Sequence, residues 1–269
     1  MKPGVVRTGT KLDAILVAVS QRLEERRARI PLSELRSLAE SRKSANAAGS
    51  RRRSFVEALS QPGLSIIAEC KRASPSEGEI AQADDMLVRA RSYAADGAAA
   101  VSVLTEQDHF GGSLDDFDRV AAAGLPRLRK DFLIDEYMVY ESAAHGAEAV
   151  LLLANCLDDG LLAELRDLAD QLDIAVLLEV HDEPELNRAL SLKPECLGVN
   201  ARDLRSFDTN LGVIEALLPK IDGCLKVAES GIHEWEDIER MRAAGADAVL
   251  CGTALMRDPG KLREWSSQL

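Results

Sequence analysis

From residue 63 onward, short and nearly continuous apolar runs alternate with longer segments in which apolar residues recur every three or four positions. The apolar runs fall at 64–70, 99–104, 125–130, 149–153, 174–179, 196–200, 224–229 and 247–251. Runs of this length predict strands buried on both faces, and the amphipathic segments between them predict helices. Those helices are expected at 84–96, 114–123, 136–145, 159–171, 183–190, 211–218 and 235–244. Gly97, Gly124, Gly146 and Gly245 follow four of them, where a left-handed cap meets no Cβ clash. Strands joined by helical crossovers pair in parallel, and eight such units fit a closed (β/α)8 TIM barrel better than an open doubly wound sheet. The near-repeats Gly146-Ala147-Glu148-Ala149-Val150-Leu151 and Gly245-Ala246-Asp247-Ala248-Val249-Leu250 support repeated units. No GxGxxG loop follows a strand, which argues against a dinucleotide-binding fold.

Ahead of the barrel, Leu12, Ile15, Leu16, Val19 and Leu23 mark a helix, and a second short one is expected at 33–40. Residues 41–54 have no periodicity and read as a loop able to move, with Arg51, Arg52 and Arg53 as solvated surface. The expected organisation is one domain: an amino-terminal helical extension and mobile loop at 1–62, and the (β/α)8 barrel at 63–269.

Composition narrows the partners. With 33 Lys+Arg against 45 Asp+Glu the net charge is −12, which argues against nucleic acid or an anionic membrane as partner and leaves anions to a local basic pocket. No apolar run reaches the ~18 residues of a membrane span, and the amino terminus does not resemble a signal peptide. Cys70, Cys156, Cys196, Cys224 and Cys251 form no CxxC pair, so free thiols in a reducing cytoplasm are expected.

In such a barrel, functional side chains gather at the carboxyl ends of the strands. The ends here are polar: Glu69 and Lys71, Lys130 between Arg129 and Asp131, Glu179, Asn200 and Arg202, then Glu229 with Ser230 and Gly231. Residues two apart share a strand face, so Glu69 and Lys71 point together. Any one of these could be a structural ion pair; five converging ends imply that three carboxylates face three cations, which must pair or meet a charged ligand. The loops holding Ser230-Gly231 and Gly252-Thr253 follow strands seven and eight, where a phosphate-binding barrel places its anion site, although glycines there also serve tight turns. His109, His145, His181 and His233 are scattered without paired-ligand spacing, so no metal site is expected. Ser230 is in no GxSxG elbow and reads as a phosphate donor or turn residue.

Several ordered motifs resemble those of the indole-3-glycerol phosphate synthase family. They are Ile67-Ala68-Glu69-Cys70-Lys71-Arg72-Ala73-Ser74-Pro75-Ser76, Ser102-Val103-Leu104-Thr105, Phe110-Gly111-Gly112-Ser113 and Leu128-Arg129-Lys130-Asp131-Phe132. Leu178-Glu179, Gly198-Val199-Asn200-Ala201-Arg202-Asp203-Leu204, Ala228-Glu229-Ser230-Gly231-Ile232 and Gly252-Thr253-Ala254-Leu255-Met256 continue the series. Glu77, His109, Gly111 and Ala201 depart from the family pattern and bear on loop motion, product release and fine contacts with substrate.

The resemblance implies closure of an indole ring with loss of carbon dioxide and water, on a phosphorylated small molecule and without cofactor. It implies catalytic roles for Lys130, as the acid at the carbonyl, for Lys71 and Glu179 in proton transfer, and for Glu69, Asn200 and Ser230 beside them. Arg202, Ser230, Gly231, Gly252 and Thr253 would hold phosphate. Glu229 and Ser74 would contact substrate, and Phe110, Phe132, Leu151 and Leu153 would wall the aromatic ring. A monomer is expected, with a weak dimer as the alternative. An amine in a phosphate-binding barrel also suits a Schiff-base aldolase, and a barrel retained only for binding is the non-enzymatic alternative.

Overall fold

A strand buried on both faces needs backbone partners along both edges, and a closed barrel supplies them without leaving an edge. The computed structural model describes residues 2–45, 51–75, 77–81, 84–203 and 208–269. Among these, β1 (Ser65–Cys70), β4 (Ala100–Leu104), β5 (Arg127–Lys130), β6 (Ala149–Leu153), β7 (Ala175–Val180), β8 (Cys196–Asn200), β9 (Leu225–Glu229) and β10 (Ala248–Cys251) form one parallel barrel. β1 closes it by pairing with both β4 and β10. Each strand lies within three residues of the position its apolar run predicts.

The helices α4 (Met86–Ala95), α5 (Leu114–Val120), α6 (Glu136–Ala144), α7 (Asp159–Gln171), α8 (Glu183–Ser191), α9 (Leu211–Leu217) and α10 (Trp235–Ala243) are the crossovers. Their starts are written into the chain: Asp85, Ser113, Asp135, Asp158, Asp182 and Asn210 each accept a backbone N–H from the first turn. Gly97, Gly124, Gly146 and Gly245 have φ of 96°, 76°, 75° and 88°, the left-handed conformation expected after a helix.

The extension departs from expectation. α1 (Leu12–Arg29) buries Leu12, Ile15, Leu16, Val19 and Leu23, as its spacing predicts. α2 is longer than expected, Leu32–Ala45, and α3 (Arg51–Leu59) occupies part of the stretch read as loop. Ala, Arg, Lys and Ser at 41–54 tolerate helix even where no apolar stripe announces one. The rest of that expected loop, 46–50, lies outside the described residues, as do the side chains of Arg51, Arg52 and Arg53. α3 contacts β1, β4, β6 and β7 and buries Phe55 and Leu59 completely. A helix that touches strands on opposite sides and enters β1 six residues later must cross the amino-terminal end of the barrel.

α1 reaches the other end. Arg22 ion-pairs with Asp108 at 2.8 Å, Arg27 with Asp135 at 2.6 Å, and Tyr137 Oη donates to Ile30 O. Also unannounced by periodicity are the hairpin β2 (Ala73–Ser74) with β3 (Gly78–Glu79), and the terminal α11 (Thr253–Arg257) and α12 (Gly260–Ser266). Two-residue strands carry too few positions to show a period.

Candidate active site

Strand alternation decides which polar residues at the mouth face inward. On β5, Arg129 points out of the barrel into α6, fully buried, with its guanidinium on Asp131 (3.0 Å) and Glu141 (2.8 Å). Lys130, the next residue, therefore faces the interior. Its Nζ donates to Glu179 Oε2 at 2.8 Å and to Glu229 Oε2 at 2.5 Å. Asp131 is held in turn by Thr105 Oγ1 at 2.6 Å and accepts the Phe132 N–H at 2.8 Å, which orients the aromatic ring that follows.

On β7 and β8 the register places Glu179 opposite Gly198. A Cβ on Gly198 would stand 2.1 Å from Glu229 Oε1, so the space left by that missing side chain is what the Glu229 carboxylate fills. Asn200 Nδ2 donates to Glu179 Oε1 at 3.0 Å, while Asn200 Oδ1 accepts the Arg202 N–H at 2.9 Å. One amide thus ties the base of the Arg202 loop to the carboxylate. On β1, Lys71 Nζ pairs with Glu69 Oε1 at 3.0 Å, as the two-residue spacing predicts. Gly252 makes room for this pair too, since a Cβ there would lie 2.3 Å from Glu69 Oε1 and 2.8 Å from Lys71 Nζ.

After β9 the chain turns through two left-handed residues, Ser230 at φ 68° and Gly231 at φ 76°. For serine that conformation costs energy and persists only where surroundings impose it, which points to a loop shaped for contact rather than convenience.

Electrostatics separate the two carboxylates on Lys130. Burial opposes the ammonium, but Glu179 and Glu229 outweigh it and raise the Lys130 pKa. Burial pushes Glu179 up as well, yet Lys130 and His181 overcome it and hold Glu179 well below the ordinary carboxylate range. Glu229 goes the other way: burial and the Glu179 charge outweigh Lys130 and lift it to about 8. The surroundings therefore favour the negative charge on Glu179 over Glu229.

These groups line one cavity of about 960 Å3 that opens at the carboxyl-terminal mouth. All sixteen residues singled out in the sequence border it: Glu69, Lys71, Ser74, Phe110, Lys130, Phe132, Leu151, Leu153, Glu179, Asn200, Arg202, Glu229, Ser230, Gly231, Gly252 and Thr253. Phe110 and Phe132 meet at 6.0 Å between ring centroids, and with Leu151 and Leu153 they give the same cavity its apolar lining. Pro75, Leu104, Asp131, Ile232, His233 and Leu250 also border the cavity and were not anticipated. His181 was missed as well, lying 3.2 Å from Glu179. The rule that pairs Glu69 with Lys71 pairs Glu179 with His181, so the signal was present. Among the described residues no cluster of three or more His, Cys, Asp or Glu has metal-binding geometry. Ser76 and Leu204, at the ends of two family motifs, lie outside the described residues.

A (β/α)8 barrel that keeps an ammonium beside a carboxylate in a cavity with an apolar lining belongs with the acid–base enzymes of that fold. The family model for indole-3-glycerol phosphate synthase matches residues 12–264. The chain belongs to the indole-3-glycerol phosphate synthase family, whose members are carbon–carbon lyases of tryptophan biosynthesis. An indole-3-glycerol phosphate synthase of Paenarthrobacter aurescens is 43% identical over 93% of this chain and 92% of its own length. Those of Roseiflexus castenholzii (42%, covering 97% and 99%) and a Nocardioides species (51%, covering 73% and 76%) are similarly related. Among solved structures, 3-hexulose-6-phosphate synthase from Salmonella typhimurium superposes with a TM-score of 0.62 at 14% identity, over 76% of this chain and 97% of that one, a likeness of fold alone.

Proposed function

We propose that this chain converts 1-(2-carboxyphenylamino)-1-deoxyribulose 5-phosphate to indole-3-glycerol phosphate with Lys130 as the general acid and Glu179 as the base. One carbon–carbon bond forms between the aromatic carbon bearing the carboxylate and the ribulose carbonyl carbon. One molecule of carbon dioxide and one of water leave. The observation that carries the assignment is the grip of two buried glutamates on Lys130 Nζ, at 2.8 and 2.5 Å, inside a cavity with an aromatic and aliphatic wall.

As the aromatic carbon attacks, negative charge grows on the carbonyl oxygen, and an ammonium can supply it a proton without water in the site. Glu179, ionised and directed by Asn200, accepts the proton released when the ring rearomatises and the hydroxyl departs. Lys71, held by Glu69, donates to the departing hydroxyl. Phe110, Phe132, Leu151 and Leu153 hold the benzoate ring flat against the reacting carbon. Arg202, Ser230, Gly231, Gly252 and Thr253 hold the phosphate, and Ser74 closes over it from the first loop. A Schiff-base mechanism needs a neutral amine. The raised pKa of Lys130 speaks against that reading.

The decisive experiment is incubation with the ribulose phosphate substrate while following indole fluorescence. Appearance of the product supports the assignment, and trapping of a lysine adduct by borohydride would replace it with aldolase chemistry. Arg202→Ala should raise KM at least about tenfold with kcat nearly unchanged, because a phosphate contact remote from the reacting carbons is made equally in ground and transition states. A lower kcat at constant KM would remove Arg202 from that role.

A cytoplasmic location belongs to the same proposal, supported by the burial of Cys70, Cys156, Cys196 and Cys251 within the fold; no described helix is long and apolar enough to cross a membrane. The extension and the barrel are proposed to form a single domain, supported by the burial of α1 and α3 side chains in the same core as the barrel strands.

A further inference from the structure

Lys130 reaches two carboxylates, and two neighbouring buried carboxylates resist being ionised together. The remaining donors decide which keeps its charge. Glu229 Oε1 is buried with no partner, whereas Glu179 Oε1 accepts from Asn200 Nδ2 and lies 3.2 Å from His181 Nε2. That approach is an ion pair rather than a well-angled hydrogen bond, since Nε2 has no hydrogen-bond partner.

His181 follows β7 directly and does not border the reaction cavity. It lines a second cavity, of about 1360 Å3, together with Thr8 and Leu12 of the extension, Asn155 and Glu185. Its Nδ1 is 3.1 Å from Glu185 Oε2, and its backbone N–H donates to the same oxygen at 2.8 Å. A neutral imidazole has one N–H and can serve only one of two carboxylates, but imidazolium serves both. Asn155 agrees with a proton on Nδ1: its Nδ2 stands 3.3 Å from His181 Nδ1 while its Oδ1 is buried without a partner. Turning that amide by 180° lets Oδ1 accept from Nδ1–H and removes the orphan.

We propose that His181, kept cationic by Glu185, is a positioning residue that makes Glu179 the ionised member of the Glu179–Glu229 pair. The inference rests on Glu179 being the base. Burial works against the imidazolium, but Glu179 and Glu185 outweigh it and raise the His181 pKa to about 10. The other charged groups bordering the second cavity are Asp182, Arg188, Arg202, Asp203 and Asp208. Arg188 is turned onto the carbonyls of Ala154 and Leu157 and onto Asp159.

The test is the pH dependence of kcat in His181→Asn. Without the cation, Glu179 holds its proton more tightly, so the acidic limb should move up by about one pH unit or more, a tenfold change in that ionisation. KM should stay within about twofold, because His181 does not border the substrate cavity. Glu185→Gln, a change on the outer side of the imidazole, should move the limb in the same direction by less, and it serves if His181→Asn fails to fold. An acidic limb unmoved in Glu185→Gln and in any folded His181→Asn overturns the proposal. Glu179→Gln separates the two readings. If it turns over normally, Glu179 is not the base and both ideas fall. If it is impaired while the limb in the His181 and Glu185 variants stays in place, only the role of His181 falls. Adding His181→Asn to Glu179→Gln should change nothing further, and a further shift would show that His181 acts through another group.

Discussion

Lys130→Ala should lose turnover by at least about 10²–10⁴-fold, the usual worth of one general acid, while a substrate analogue still binds within a few-fold of its normal affinity. The asymmetry follows from when the interaction is made. In the ground state the ammonium is already satisfied by Glu179 and Glu229 at 2.8 and 2.5 Å, so it has little to offer a neutral carbonyl. As the ring closes, the oxygen gains charge and becomes a better partner, so the stabilisation is specific to the transition state. Removing the lysine also strands two buried carboxylates against each other, and part of the loss should be recovered in Lys130→Arg only if geometry tolerates the wider guanidinium. Rapid-quench turnover alongside equilibrium titration with a reduced substrate analogue separates the two quantities. Near-normal turnover in Lys130→Ala would remove it as the acid.

Glu179→Gln should give a second large loss, later in the sequence of steps. The amide keeps the shape and can still face Lys130 and Asn200, but it cannot take up a proton. Ring closure with loss of carbon dioxide should therefore outpace formation of indole, and a decarboxylated intermediate should accumulate in a single turnover. Carbon dioxide release and indole fluorescence, followed on the same sample, should separate in time. Equal slowing of both signals would place Glu179 at or before ring closure instead. At low pH the wild-type enzyme should begin to resemble this variant, because protonating Glu179 disables the same step. With Glu179 held well below the ordinary carboxylate range, that resemblance should set in only under distinctly acidic conditions.

The barrel was legible because its strands are buried on both faces and so appear as unbroken apolar runs, each ending at the mouth where polarity returns. Lys130 stands out for that reason, coming directly after Leu128 and Arg129 on a strand the pattern already defines. The rest depended on information that does not travel along the chain. α3 carries its two deeply buried residues, Phe55 and Leu59, in a context rich in arginine and serine, and only the open end of the barrel explains its burial. The hairpin of Ala73–Ser74 with Gly78–Glu79 is set by backbone pairing that four residues cannot advertise. His181 is a mixed case: its two-residue spacing from Glu179 was visible in the chain, whereas its contacts with Glu185 on the next helix and Asn155 on a loop a strand away were not. That the surroundings favour the charge on Glu179 over Glu229 depends on burial and on donors from several strands, which residue types cannot convey.

Gly198 brings a warning for anyone wishing to make this protein more robust. A glycine in mid-strand with ordinary backbone angles is a natural target for thermostabilisation, since replacing glycine by alanine where the conformation allows commonly adds about 0.4–1 kcal/mol by restricting the unfolded chain. Here the added methyl would stand 2.1 Å from Glu229 Oε1 and drive the carboxylate off Lys130. The clash would cancel the usual gain in stability and cost activity as well, so a position that looks like a free choice of scaffold is held by the site through one missing methyl.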